Sequence, residues 1–284
     1  MGMRIRLGYS PAPDGGVMFF GLVAGKVDTG ELKIEPVAAG LPALNDRAFR
    51  GELEATMISA AAYPYLRQRY VLARCGACFA RSRGPVLAAP EPVPEATLDK
   101  ATIAVGDATG SAMLALQISR PGARTRLLPA DKLAQATKMG LADCALLMHA
   151  DTAAFRQAGL CCVADIAAGW AQRNSGLPLP LTCLAIRSDL AEDVRLRIEA
   201  VLRASIRFGL DHRTQAIRFA MDCVRKCAGG TFEADAGPLG VCVGEETVEL
   251  DVPGRQALEE FLRRGHDADV VPNALPLEFV GGAA

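Results

Sequence analysis

The sequence predicts an α/β fold of two lobes around a central ligand cleft, and three observations predict it. The chain alternates strand, loop and helix up to about residue 70. A second series of the same kind starts at Thr102, after the most linker-like segment of the chain, Pro90-Glu91-Pro92-Val93-Pro94. Cys144-Ala145-Leu146-Leu147-Met148 is apolar throughout, as in a sheet strand covered on both faces. A length of 284 residues suits about two such units.

Ile5-Arg6-Leu7-Gly8-Tyr9 alternates like a strand and enters Ser10-Pro11-Ala12-Pro13-Asp14-Gly15-Gly16, read as a turn-rich loop, with a helix from Val17 to Ala24. Leu32 to Val37 alternates again, Leu41 to Arg50 has helical spacing, Glu54 to Ser59 reads as a strand and Ala60 to Gln68 as its helix. Tyr70 to Cys78 and Pro85 to Ala89 read as strands. Beyond the prolines, Thr102 to Val105 is a strand, and Gly106 to Ser111 a loop opening the helix Ala112 to Ile118. A short strand at Arg126-Leu127-Leu128 and a helix from Lys132 to Met139 lead to the apolar strand, which ends at His149. Thr182 to Ile186 is the last strand. Helical patterns then cover Glu192 to Leu210, Asp211 to Cys227 and Gly254 to Arg264. The expected lobes are residues 1–90 with 187–284, and residues 91–186, with crossings at the proline segment and around Leu181 to Arg187.

Charge narrows the partners. Lys and Arg number 31 against 32 Asp and Glu, with no basic block, so the face needed to neutralise nucleic-acid phosphates is missing. Charged residues interrupt every window that approaches the roughly 18 apolar residues of a membrane helix. Met1 to Arg6 leads into Leu-Gly-Tyr-Ser-Pro instead of a signal-like apolar stretch, which predicts a cytoplasmic protein. The nine cysteines are an odd number scattered through a chain long enough to fold without staples, and they read as reduced core residues. The expected partner is a small molecule. A homodimer is compatible with the sequence, which does not specify an oligomeric state.

Of the three histidines, His149 follows a buried strand at the position where open α/β sheets present ligands, and is the candidate general base. A structural histidine bonded to backbone is the competing reading. His212 and His266 lie in polar contexts and read as surface residues. Thr109-Gly110-Ser111 marks a strand-to-helix junction whose amides and hydroxyls suit a carboxylate or phosphate, or serve simply to cap the helix. Asp14-Gly15-Gly16 either approaches a ligand or merely turns. Cys75-Gly76-Ala77-Cys78 has no second pair at zinc-site spacing, so no metal is expected. No Gly-x-Gly-x-x-Gly or Gly-x-Ser-x-Gly motif occurs, which leaves cofactor and esterase readings without support.

Taken together, these segments resemble the 1,4-dihydroxy-6-naphthoate synthases of the futalosine route to menaquinone, over nearly the whole chain. Leu7-Gly8-Tyr9-Ser10-Pro11-Ala12-Pro13 is similar to the family's opening strand and loop, and Leu44-Asn45, Gly51-Glu52-Leu53 and Ile58-Ser59 to its next unit. Leu147-Met148-His149 resembles the segment bearing the family's catalytic histidine. Trp170, with Ser175-Gly176-Leu177-Pro178-Leu179-Pro180-Leu181 and Arg187-Ser188-Asp189-Leu190, is similar to its most specific stretch. The resemblance implies a fold like type II periplasmic binding proteins, used as a lyase without metal or nucleotide cofactor. It implies cyclic dehypoxanthine futalosine as substrate, His149 as the base that starts fragmentation, and a pocket lined by Ser10, Asp14, Ser59, Thr109, Gly110 and Ser111, in which Ser59 and the Gly110-Ser111 start hold the substrate carboxylate. The chain departs from the family pattern at Asp14-Gly15-Gly16-Val17, at Met57 in place of a basic residue, and at Gly110-Ser111 in place of paired threonines. These departures keep open a paralogue that binds or converts a different small aromatic carboxylate. A third reading, an exported solute receptor, lacks a readable signal peptide.

Overall fold

The computed structural model describes residues 2–81, 84–148, 158–227 and 242–282. Its strands are β1 (Met3–Tyr9), β2 (Leu32–Ala38), β3 (Ala55–Ser59), β4 (Tyr70–Leu72), β5 (Cys78–Ala80), β6 (Val86–Ala89), β7 (Thr102–Val105), β8 (Arg124–Leu127), β9 (Cys144–Leu147), β10 (Cys161–Asp165) and β11 (Leu179–Arg187). The helices are α1 (Pro13–Val23), α2 (Leu41–Phe49), α3 (Tyr63–Leu66), α4 (Glu95–Leu98), α5 (Ser111–Ser119), α6 (Leu133–Lys138), α7 (Ile166–Arg173), α8 (Glu192–Asp211), α9 (Arg213–Cys227), α10 (Glu245–Val248) and α11 (Val252–Asp267).

Two mixed sheets carry the two lobes. The first runs β2-β1-β3-β11-β4 with β5 also on β11, and the second runs β10-β6-β9-β7-β8. In the first, β1 is parallel to β2 and β3, whereas β11 runs antiparallel to β3, β4 and β5. In the second, β7 is parallel to β8 and β9, and β6 antiparallel to β9 and β10. The predicted α/β, two-lobed class is the observed one.

Several boundaries differ from expectation. Val86–Ala89 belongs to the second sheet and Leu179–Arg187 to the first, so both crossings fall earlier in the chain than the prolines and Leu181 suggest. The prolines mark an exposed turn between β6 and α4, because a segment without free amides suits a surface connection and not a sheet. Tyr70 to Cys78 is not one strand. It breaks between β4 and β5 at Gly76, whose φ of +77° takes the chain out of the β region and whose missing Cβ leaves room for the Leu184 side chain.

The most consequential difference lies at α1. Asp14, Gly15 and Gly16, read as loop, form its first turn after Pro13 at the helix start. The glycines are needed for close approach: a Cβ at Gly16 would stand 2.7 Å from Cα of Ala220 in α9, and one at Gly15 would strike the Ser10 carbonyl oxygen. From the other side, Gly209 of α8 lets that helix meet the Val17 carbonyl. The buried Ser205 hydroxyl donates to the Met18 carbonyl at 2.8 Å and accepts the Leu22 amide at 3.1 Å. Helix α1 is therefore clamped between α8 and α9. β10 and α7 carried no clear pattern in the sequence, although Asp165 caps α7 by accepting the Ala168 amide at 2.9 Å.

One apolar cluster, including Leu72, Phe79, Leu87, Ile103, Leu114, Leu181 and Phe261, extends through both lobes along the crossing strands. Trp170 of α7 sets its ring edge-on to Phe261 of α11 at 5.3 Å, tying the second lobe to the helix that returns the chain to the first. The C-terminal segment then adds to the first sheet, with the Leu72 amide donating to the Glu278 carbonyl at 2.8 Å and the Val280 amide to that of Leu72 at 2.9 Å.

Candidate active site

Ser59 ends β3 and is fully buried. Asn45 of α2, equally buried, holds it twice: Nδ2 donates to Ser59 Oγ at 3.1 Å, and Oδ1 accepts the Ser59 amide at 3.0 Å. With its oxygen already accepting, the hydroxyl keeps its own proton, and no group among the described residues receives it. Thr182 of β11 lies in register with Ser59 on one side and with Cys78 of β5 on the other. Its Oγ1 is buried with no oxygen or nitrogen partner, the Cys78 thiol being the polar group beside it. Two adjacent hydroxyls without an oxygen or nitrogen acceptor, at the end of a sheet beneath a helix start, form a donor set suited to an incoming oxygen.

Helix α1 roofs this row. Cys78 Sγ lies 4.0 Å from Met18 Sδ. The Asp14 carboxylate turns inward and accepts the Cys242 amide at 2.6 Å, while Ser10 Oγ accepts the Ala12 amide at 3.3 Å. Ser10 and Asp14 are both buried. Burial pushes the Cys78 thiol well above its ordinary range, and burial together with Asp14 and Glu246 pushes Cys242 up to about 12. Cys75 is raised likewise, chiefly by burial. Burial thus favours the protonated thiols of Cys75 and Cys78 over the thiolates. Among the described residues no three of His, Cys, Asp and Glu converge as a metal site.

From the second lobe comes Ser111, at the start of α5. Its hydroxyl donates to the Leu181 carbonyl at 2.6 Å and accepts the Ala61 amide at 3.3 Å, so it joins the turn after Ser59 to the strand bearing Thr182. Ser59 and Ser111 are thus linked where the lobes meet, through the Ala61 turn and β11, while Ser10 and Asp14 lie at the start of α1. Thr109 and Gly110 line a groove that also reaches Ala61, the residue whose amide Ser111 accepts. There Asp107 Oδ1 accepts the Thr109 amide at 2.8 Å and its hydroxyl at 3.0 Å, and a Cβ on Gly110 would fall 2.5 Å from Asp107 Oδ2. The Asp107 carboxylate complements the dipole at this helix start. Because β9 and β7 are parallel, β9 ends at the same edge of the sheet as the strand that leads into α5. His149 itself lies outside the described residues.

The sequence did not point to Thr182, because a threonine within an apolar strand carries no sign of its missing partner. Asp107 was legible in principle. Asp-x-Thr before a helix is an Asx-turn pattern, and it decides which way Thr109 faces.

A two-lobed α/β fold with hydroxyl donors at the lobe junction defines a small-molecule binding class. The same fold is seen in the periplasmic aliphatic sulphonate binding protein of Escherichia coli, at a TM-score of 0.64 and 14% identity over 96% of this chain and 90% of that one. A family model described as menaquinone biosynthesis matches residues 5–267, and the chain belongs to that family. Its curated relatives include the 1,4-dihydroxy-6-naphthoate synthase of Thermus thermophilus, 31% identical over 76% of this chain and 78% of the relative. The Streptomyces coelicolor enzyme of the same name is 27% identical over 94% of this chain and 95% of its own length. A crystal structure of a protein from Archaeoglobus fulgidus superposes with a TM-score of 0.83 at 30% identity, covering 94% of this chain and 98% of that one.

Proposed function

We propose that the chain is a lyase of menaquinone biosynthesis that releases 1,4-dihydroxy-6-naphthoate from cyclic dehypoxanthine futalosine at the lobe junction. The observation that carries this reading is the pair of hydroxyls without an oxygen or nitrogen acceptor, Ser59 and Thr182, in a chain of this family. Both donate to substrate oxygens, with Ser59 aimed by Asn45. Ser111 exchanges its Leu181 bond for the substrate carboxylate, and Ser10 and Asp14 shape the side under α1. His149 removes the proton that starts fragmentation, a task for which an imidazole is suited at physiological pH. The protein works in the cytoplasm on a small molecule. No helix among the described residues is long and apolar enough to cross a membrane.

A second reading, an enzyme of this fold for a different aromatic acid, is favoured by one observation. Ala220 and Asp107 fill the spaces that side chains at positions 16 and 110 would occupy, so the family's usual residues do not fit here without rearrangement.

Incubating the purified protein with cyclic dehypoxanthine futalosine and following dihydroxynaphthoate by mass spectrometry separates the readings. Product should form with wild type, and His149→Ala should lower turnover by at least about a hundredfold while substrate still binds. A folded wild-type protein that yields no product, yet binds other aryl carboxylates, would replace the first reading by the second.

A further inference from the structure

The groove lined by Thr109 and Gly110 opens beside the lobe junction, because Ala61, whose amide the Ser111 hydroxyl accepts, lines it as well. Its volume is about 470 Å³, within the range of small-molecule sites. Phe49 and Tyr65 wall it on the first-lobe side, Leu114 and Gln117 on the second, and Val270 and Val271 along the segment after α11. Gly110, Leu114 and Gln117 are spaced i, i+4 and i+7, one face of α5, so the groove runs about 10 Å along that helix.

Its walls select for a flat apolar group. No charged residue lines it among the described residues, and the Thr109 hydroxyl is already committed to Asp107 at 3.0 Å. A polyhydroxylated group would find few partners there, whereas a planar ring would shed water from both faces. Tyr65 supplies the matching surface. It is 54% exposed, unusual for so large a ring. Its hydroxyl donates to the Val270 carbonyl at 3.1 Å, and its ring meets Phe49 edge to face, centroids 6.4 Å apart at 89°. Two contacts thus fix a ring much of whose surface is uncovered, and such a ring stacks a planar ligand without first having to be ordered.

We propose that Tyr65, supported by Phe49, is a specificity-determining residue of the substrate site. The aryl ring of the substrate lies on Tyr65 between α3 and α5, with its carboxylate toward the Ser111 helix start. This assignment rests on the reading that the junction takes an aryl carboxylate. The length of the groove up to Gln117 then favours a fused ring system, since a single ring leaves part of the Tyr65 and Leu114 surface bare.

Calorimetric titration with 2-naphthoate and with benzoate reads this site without turnover. Wild type should bind 2-naphthoate at least about tenfold more tightly than benzoate, Tyr65→Ala should remove most of that preference, and Tyr65→Phe should keep it. In kinetics with cyclic dehypoxanthine futalosine, Tyr65→Ala should lower kcat/KM at least about tenfold, mainly through KM. Equal binding of the two acids by wild type, or a preference that survives Tyr65→Ala, would overturn the proposal. So would a loss as large in Tyr65→Phe as in Tyr65→Ala, because it would assign the effect to the Val270 bond and not to the ring. A protein that shows the Tyr65-dependent preference but forms no dihydroxynaphthoate would refute the assigned reaction and keep the aryl site. Turnover with KM untouched by Tyr65→Ala would do the reverse.

Discussion

Two helix starts in this chain carry nearly the same local signal and meet opposite fates. Asp14 stands before Gly15-Gly16 at the start of α1, and Asp107 before Gly110 at the start of α5. At α1 the carboxylate is buried and turned onto the Cys242 amide, and the glycines bring backbone against backbone beneath α9. At α5 the carboxylate folds back over its own turn, and the glycine leaves room for it beside an open groove. An acid with glycine at a strand-to-helix junction therefore specifies a tight start. Whether that start becomes core or ligand wall depends on what packs against it.

The comparison breaks most visibly at α1. Gly16→Leu forces a side chain into Ala220 and should destabilise the protein by about 2–3 kcal/mol in urea unfolding, the usual range for overpacking a close backbone contact. A smaller loss would mean that α9 gives way, and that the clamp is looser than the glycines suggest. Asp14→Ala leaves the Cys242 amide without its acceptor and should cost about 2 kcal/mol by the same measurement. At α5 the matching change is milder. Gly110→Ala displaces the tip of Asp107, not backbone, and should cost about 1 kcal/mol. That cost should vanish when Asp107→Ala is already present, a coupling that a double-mutant cycle reads directly.

The smallest effect belongs to a carboxylate far from both starts. Glu54 accepts from Arg6 Nη2 at 2.7 Å and Nε at 2.9 Å, and from Arg187 Nη1 at 3.3 Å. Burial pushes its carboxyl up, but the Arg6 hydrogen bonds outweigh this and hold it below its ordinary value of 4.5. A folded-state pKa below the unfolded one gives stability that is complete above about pH 4.5 and is lost as pH falls through the lowered value. Glu54→Gln should flatten that acid limb of the stability curve. An unchanged limb would assign it to other carboxylates.

Much of the fold was legible because it rests on periodicity. The alternation of Ile5 to Tyr9 and the apolar run Cys144 to Leu147 appear as β1 and β9, and the amphipathic spacing from Glu192 onward as α8. Less of the site was legible. Ser59 and Ser111 are joined through the Ala61 turn and β11, and the Asp107 carboxylate folds onto the turn of Thr109, neither of which a local pattern reveals. Ser59 and Thr182 are far apart in the chain, and only the antiparallel pairing of β3 with β11 makes neighbours of their hydroxyls.

The sequence by itself determined the α/β class, the order of its units and the family, since hydrophobic period, turn chemistry and motif are local properties that survive in one dimension. Only the tertiary structure decided where the chain crosses between lobes, which helix start is buried, and which hydroxyls are left without partners. Those depend on distances between segments remote in sequence, and a hydrogen bond made or missed across such a distance leaves no mark on the residues near it in the chain.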